Sequence, residues 1–155
     1  METDLGNLTA CAEDGALIGL WFAGQKYYPA ETDDWLFHSN YPIFEKLRNW
    51  LSGYFSGNLK VSRPRLNPRG STFQKNVWNR ILRIPFGELS TYGNIARTLG
   101  VHSPRAIGNA VGHNPISLLI PCHRVVGADG NLRGYAGGIE KKVQLLQLEK
   151  YWKNT

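Results

Sequence analysis

The chain has 155 residues, 42% of them hydrophobic, the size of one ordinary domain or two small ones sharing an interface, and enough to exclude wholesale disorder. Lys plus Arg is 18 against 12 Asp plus Glu, net +6, but the charge is uneven: residues 1–59 hold three bases against eight acids (−5) and residues 60–155 hold fifteen against four (+11). The back of the chain is the part that attracts a polyanion; no run of about 18 apolar residues marks a membrane span, the opening METDLGNLTA lacks the parts of a secretory signal, and Cys11 and Cys122 suit neither a disulfide framework nor a Cys-rich zinc site.

In chain order, residues 7–12 and 16–22 are apolar-rich runs separated by Glu13-Asp14-Gly15. An Asp-Gly step between such runs predicts a hairpin. Residues 40–54 predict a helix, with Pro42 in its first turn and Phe44, Leu47, Leu51 and Tyr54 at helical spacing. Residues 59–62 are a candidate third strand. The Pro- and Arg-rich stretch 63–70 (RPRLNPRG) predicts a linker between two units. Eleven of the eighteen aromatic residues precede position 60, so the front reads as the packing unit.

Beyond the linker, Ser71-Thr72-Phe73-Gln74 is a capping-box pattern, and Phe73, Val77, Trp78, Ile81 and Leu82 form an apolar stripe that stops before Pro85. A second helix starts near Ser90 or Thr91, carries Tyr92, Ile95, Ala96 and Leu99, and ends at Gly100. Ser103 then caps a third helix with Pro104 in its first turn, running to about His113. Two short helices joined by a tight glycine-bearing turn predict helix-turn-helix geometry. On the third helix Ala106, Ile107, Ala110 and Val111 share one face, and Arg105, Gly108, Asn109 and Gly112 the other. That outer face would let the backbone approach another surface. Glycines serving internal packing are the alternative, and the +11 segment favours DNA docking.

The chemical centre is SLLIPCHRVV, residues 117–126. Residues 118–120 read as a buried strand that Pro121 interrupts. Cys122, His123 and Arg124 follow. A free thiol has a pKa of about 8.5 and reacts as the thiolate, so a nucleophilic Cys needs an imidazole, a cation or a helix N-terminus nearby. Adjacent residues on an extended chain point apart, so a contact through a water is an alternative to a direct bond between His123 and Cys122. A third group orients such an imidazole, and Glu149 is the candidate. It lies on the apolar face of a last helix over residues 139–152, among Leu145, Leu146 and Trp152. Pairing of Glu149 with Lys142, Lys150 or Lys153 is the other reading. A Cys-x5-Arg phosphatase would need Arg where Ala128 stands, a zinc site lacks a second nearby Cys, and the papain arrangement does not fit.

With these residues in place, the chain resembles the methylated-DNA–protein-cysteine methyltransferases, or O6-alkylguanine-DNA alkyltransferases. Residues 120–126, IPCHRVV, match the family's active-site signature without departure. Thr91-Tyr92 with Ile95-Ala96 resembles its first helix-turn-helix element. Pro104-Arg105-Ala106-Ile107-Gly108 through His113-Asn114-Pro115 resembles its recognition helix and Asn-Pro hinge. Gly134-Tyr135-Ala136-Gly137-Gly138 resembles the loop closing the base pocket, and Glu149 matches the terminal-helix glutamate. The likeness is sharp over residues 73–149 and looser over the first sixty.

The resemblance implies an α/β N-terminal unit over residues 1–66, a small ribonuclease-H-like antiparallel sheet plus helix. A mainly α, helix-turn-helix and winged-helix-like unit over 67–155 would bind DNA and carry the reactive Cys. Cys122 is then the alkyl acceptor, His123 a water-mediated base, Glu149 its orienting group and Asn114 the brace of the turn. Arg105 takes the place of an extruded nucleotide, Tyr92 pushes the target phosphate, and Ser103, Gly108, Asn109 and Gly112 face the minor groove of the duplex. Tyr135, Ala136, Pro121 and Val125 line the base pocket, with the Cys122 and Val125 carbonyls receiving guanine's exocyclic amine. Ala136, where some members place a hydroxyl residue, offers its backbone N–H to the O6 atom. The implied activity is single-turnover removal of the alkyl group from O6-alkylguanine, and from O4-methylthymine, in double-stranded DNA. No organic cofactor is implied, and Cys11 with His38 is too few for a metal. A cytoplasmic monomer without membrane contact is expected, nucleoid-associated or nuclear according to the host. The rivals are a non-catalytic lesion sensor and a helix-turn-helix regulator with an inert Cys.

Overall fold

The computed structural model describes residues 1–30 and 32–153, except for the side chains of Tyr151 and Trp152. Trp152, expected on the apolar face of the last helix, therefore lies outside the described side chains. The predicted hairpin is present. Strands β2 (Gly6–Glu13) and β3 (Ala16–Phe22) pair antiparallel, and Asp14 and Gly15 both take positive φ, 51° and 74°, as a two-residue hairpin turn requires. The sheet's third strand is not residues 59–62. It is β1 (Glu2–Thr3), paired with β2. Residues 59–62 form a turn and bend in which Leu59 is exposed, so the run has no neighbouring strand to pair with.

The other edge of β3 is where the chain's two halves are stitched. Leu17 N–H donates to the Arg65 carbonyl and Asn67 N–H to the Leu17 carbonyl, so the Pro- and Arg-rich stretch lies hydrogen-bonded along the sheet. Further along, Leu20 N–H donates to the Pro115 carbonyl and Ser117 N–H to the Leu20 carbonyl. The segment leading to Cys122 is thus anchored on a strand nearly a hundred residues earlier. Helix α1 (Pro42–Ser56), with Pro42 in its first turn as expected, buries Ile43, Leu47, Leu51 and Tyr54.

Three helices follow where the caps predict them. The Ser71–Gln74 capping box opens α2 (Thr72–Ile81). Thr91, which with Ser90 forms the short strand β4, caps α3 (Tyr92–Leu99), and Gly100 closes it at φ 67°. Ser103 caps α4 (Pro104–Gly112). Ile107, Ala110 and Val111 of α4 are buried as the helical wheel requires. Trp78 donates its indole N–H to the Ala110 carbonyl at 2.9 Å, tying α2 to α4. After α4, residues 118–120 are a turn rather than a strand. Leu118 sits there at φ 70° while fully buried. A left-handed leucine costs about 1–2 kcal/mol, retained here because burial of the side chain and the bonds around the turn over-determine it.

A 3₁₀ turn (Cys122–Arg124) leads into β5 (Val125–Val126), which pairs parallel with β4. Helix α5 (Ile139–Lys153) ends the described chain and packs on that turn. One apolar cluster runs from Leu8, Leu20 and Phe22 of the sheet through Val77, Ile107 and Ile120 to Leu145 of α5. No helix among the described residues is long and apolar enough to cross a membrane.

Candidate active site

Asn114 follows α4 directly and closes the tight loop that carries the thiol. Its side-chain oxygen accepts from Ile116 N–H at 2.9 Å, and its Nδ2 donates to the Ile120 carbonyl at 2.8 Å and to Cys122 Sγ at 3.1 Å. One buried amide therefore fixes both ends of the loop and touches the sulfur. Cys122 is 5% exposed. Burial pushes its thiol pKa up; the Asn114 hydrogen bond, the Lys142 charge and nearby backbone N–H groups push it down without cancelling that effect. The thiol accordingly rests protonated near neutral pH and needs a base.

His123 is fully buried and does not bond to Cys122 directly. Its Nε2 meets Glu149 Oε2, and among the described residues its Nδ1 has no hydrogen-bond partner. Burial lowers the imidazole's pKa, and the Arg124 and Lys142 charges act the same way; the bond to Glu149 opposes them without prevailing. A neutral ring donating Nε2–H to a carboxylate leaves Nδ1 as an unprotonated acceptor.

Glu149 is 1% exposed, yet it pairs with none of the lysines that sequence offered. Four donors fill its two oxygens. Oε1 accepts from Arg124 Nε at 2.6 Å and Gly87 N–H at 3.1 Å; Oε2 accepts from His123 and from the Tyr54 hydroxyl at 2.8 Å. Burial alone would raise its pKa, but the bonds and charges of His123 and Arg124 outweigh burial and hold the carboxyl at about 2. Arg124 also donates to the Ile84 carbonyl at 2.7 Å and lies over the Phe86 ring. Lys142 is buried with its ammonium on the carbonyls of Val125, Leu132 and Gly134, at 2.7, 2.5 and 3.3 Å, which pins the loop bearing Tyr135; burial lowers its pKa to about 8.

The predicted pocket residues gather here. Tyr135 and His123 meet edge to face with 6.5 Å between ring centroids, and among the described residues the buried Tyr135 hydroxyl has no partner. Pro121 and Val125 are buried, and the Val125 carbonyl is already shared with Lys142. The Ala136 carbonyl accepts from Lys26 N–H. The predicted DNA-facing residues form a second group. Ser103 at the cap of α4 and Arg105 and Asn109 on the helix are exposed, with Gly108 and Gly112 half-buried beside them. Tyr92 links the groups: its ring lies near Gly108, and the charge of a Cys122 thiolate would weigh on its hydroxyl, whose pKa burial already raises.

Sequence reasoning missed Tyr54 and Gly87 as partners of Glu149, and it weighed Lys142 only as one alternative partner of that carboxylate, not as the loop's anchor. Tyr54 left one sign: a hydroxyl at the end of an otherwise apolar helical stripe.

A helix-turn-helix face beside a buried cysteine, with a neutral imidazole held by a carboxylate, is the arrangement of a DNA-directed protein that reacts through its own thiol. A family model of the 6-O-methylguanine DNA methyltransferase DNA-binding domain matches residues 72–151. The methylated-DNA–protein-cysteine methyltransferase of Mycolicibacterium paratuberculosis is 41% identical over 97% of this chain and 90% of its own length. That of Methanosarcina acetivorans is 40% identical over 96% and 94%. The crystal structure of Mycobacterium tuberculosis OGT in complex with DNA superposes with a TM-score of 0.90 at 38% identity, covering 98% of this chain and 91% of that one. The chain belongs to the methylated-DNA–protein-cysteine methyltransferase family.

Proposed function

We propose that the protein repairs alkylated duplex DNA by direct reversal, taking the alkyl group of O6-alkylguanine, and of O4-methylthymine, onto Cys122 in a single turnover. In this reading His123 Nδ1 accepts the thiol proton through a water, and Glu149 holds the imidazole in the tautomer that allows it. The thiolate sulfur attacks the methyl carbon, the S–C bond forms as the C–O6 bond breaks, and the electrons leave on O6. The thiol proton, taken up by His123, is handed on to the departing guanine, which leaves His123 neutral again. Thiol plus O6-methylguanine thus becomes S-methylcysteine plus guanine, and the thioether does not readily reverse. No step requires a cofactor.

The observation that carries the proposal is a Cys122 sulfur gripped by Asn114 beside a buried, neutral imidazole whose Nδ1 no described residue occupies. Arg105, exposed on α4, takes the flipped nucleotide's place, with Ser103, Gly108, Asn109 and Gly112 against the minor groove and Tyr92 on the phosphate. The flipped base packs among Tyr135, Ala136, Val125 and Pro121. We read residues 1–66 as a ribonuclease-H-like unit and 67–155 as a winged-helix-like one, working as a monomer in the cytoplasm or wherever the host keeps its DNA. Mixing increasing amounts of protein with a duplex containing O6-methylguanine tests the activity. Lesion loss that plateaus at one per protein molecule is expected; tight lesion binding without lesion loss would mean a sensor instead.

A further inference from the structure

Tyr54 is 95 residues from Glu149 in sequence and belongs to the N-terminal unit, yet it completes the carboxylate's set of four donors. Its ring is 3% exposed, stacked on Trp50 at 5.2 Å and edge-on to Phe55 and Phe86 at 5.2 and 5.7 Å. Phe86 in turn lies under the Arg124 guanidinium. Burial, then the charge of Glu149 and its hydrogen bond, push the phenol's pKa well above its ordinary 10, so the hydroxyl stays a donor.

We propose that Tyr54 is a positioning residue for the transfer reaction, sharing Glu149 Oε2 with His123 and so keeping the imidazole both aligned and neutral. Its consequence for the rate rests on the proposed transfer chemistry. A base is useful only while unprotonated, and a buried carboxylate pulls a second proton onto a neighbouring imidazole. Two features moderate that pull. Arg124 neutralises the carboxylate from Oε1. The Tyr54 hydroxyl competes for the same oxygen that faces His123, because two donors on one oxygen divide its lone-pair density. The other ionisable groups facing His123 are the Lys142 ammonium, the Tyr135 phenol and the Cys122 thiol. None of these three donates to Oε2. The N-terminal unit thereby takes part in tuning a base carried by the other half of the chain.

Tyr54→Phe removes the hydroxyl and keeps the ring against its three aromatic neighbours. Two quantities are read in wild type and variant: the pH dependence of methyl transfer within the saturated DNA complex, and the titration of the His123 ring by NMR in the free protein. The variant's His123 pKa and the acid limb of its rate are expected to rise by about one pH unit, each unit being tenfold in proton affinity. Transfer then falls along the acid limb, by up to tenfold for each unit of the shift, while the rate at pH 8.5 stays put. A purely structural tyrosine would lower the unfolding temperature and leave both quantities in place, which overturns the proposal. Wild-type protein that fails to take the methyl group refutes the transfer chemistry, and the His123 titration still decides the role of Tyr54. If the variant does not fold, the wild-type phenol proton decides: slow exchange and correlation with the His123 ring support the proposal, and fast exchange refutes it.

Discussion

Glu149→Gln preserves volume and shape while removing the charge on which four donors converge. A glutamine oxygen can accept two of those donors, but its NH₂ then faces the other two donor for donor. Breaking a buried charged pair in this way costs about 3–5 kcal/mol. The depressed carboxyl leads to a similar figure. The carboxyl is held at about 2 against an ordinary 4.5, and at about 1.4 kcal/mol per pH unit the difference is worth about 3 kcal/mol of folding stability. A depressed carboxyl contributes fully above its unfolded pKa and loses that contribution as pH falls toward the folded one. Urea unfolding should therefore find the variant about 3–5 kcal/mol less stable at pH 7. The deficit should shrink by about 1.4 kcal/mol at pH 3.5, where the unfolded carboxyl is largely protonated and the folded one is not. A loss below about 1 kcal/mol at pH 7, or a deficit that does not change with pH, would refute the network as the reason Glu149 is buried.

Asn114→Ala deletes three buried hydrogen bonds of about 1 kcal/mol each; chemical denaturation should find it about 2–4 kcal/mol less stable, with slower transfer because the sulfur loses its donor. Arg105→Ala, at an exposed helix position, should stay within about 0.5 kcal/mol of wild-type stability while repair of lesioned duplex falls sharply; undiminished repair would remove Arg105 from base extrusion. DNA affinity should drop steeply between low and moderate salt, and a flat profile in a filter-binding titration would contradict contact through the +11 half.

The helices of the DNA-binding half were legible because their ends are written locally. Ser71 with Gln74, Thr91, Ser103-Pro104 and Gly100 each act within a turn of chain, and Asp14-Gly15 does the same for the hairpin. What escaped depends on partners far away. Residues 59–62 look like a strand but have no edge to join, whereas the Pro- and Arg-rich stretch does join one at Leu17. The apolar run at 118–120 bends because Asn114 and β3 clamp its flanks, and apolar pattern alone does not distinguish a buried turn from a buried strand. Cys122, His123 and Glu149 were all visible as candidates. Glu149 was already the candidate to orient His123; that Tyr54 shares the same oxygen, and that no lysine of its own helix pairs with it, became visible only once α1, the 3₁₀ turn and α5 were packed together.

The most direct measurement is the intact mass of the protein after incubation with a duplex carrying O6-methylguanine, followed by peptide mapping, on wild type and Cys122→Ala. Wild type should gain one methyl group, located on Cys122, as the lesion disappears. The variant should gain none while binding the duplex comparably. An unchanged wild-type mass, or a methyl group on any other residue, would contradict transfer to this cysteine.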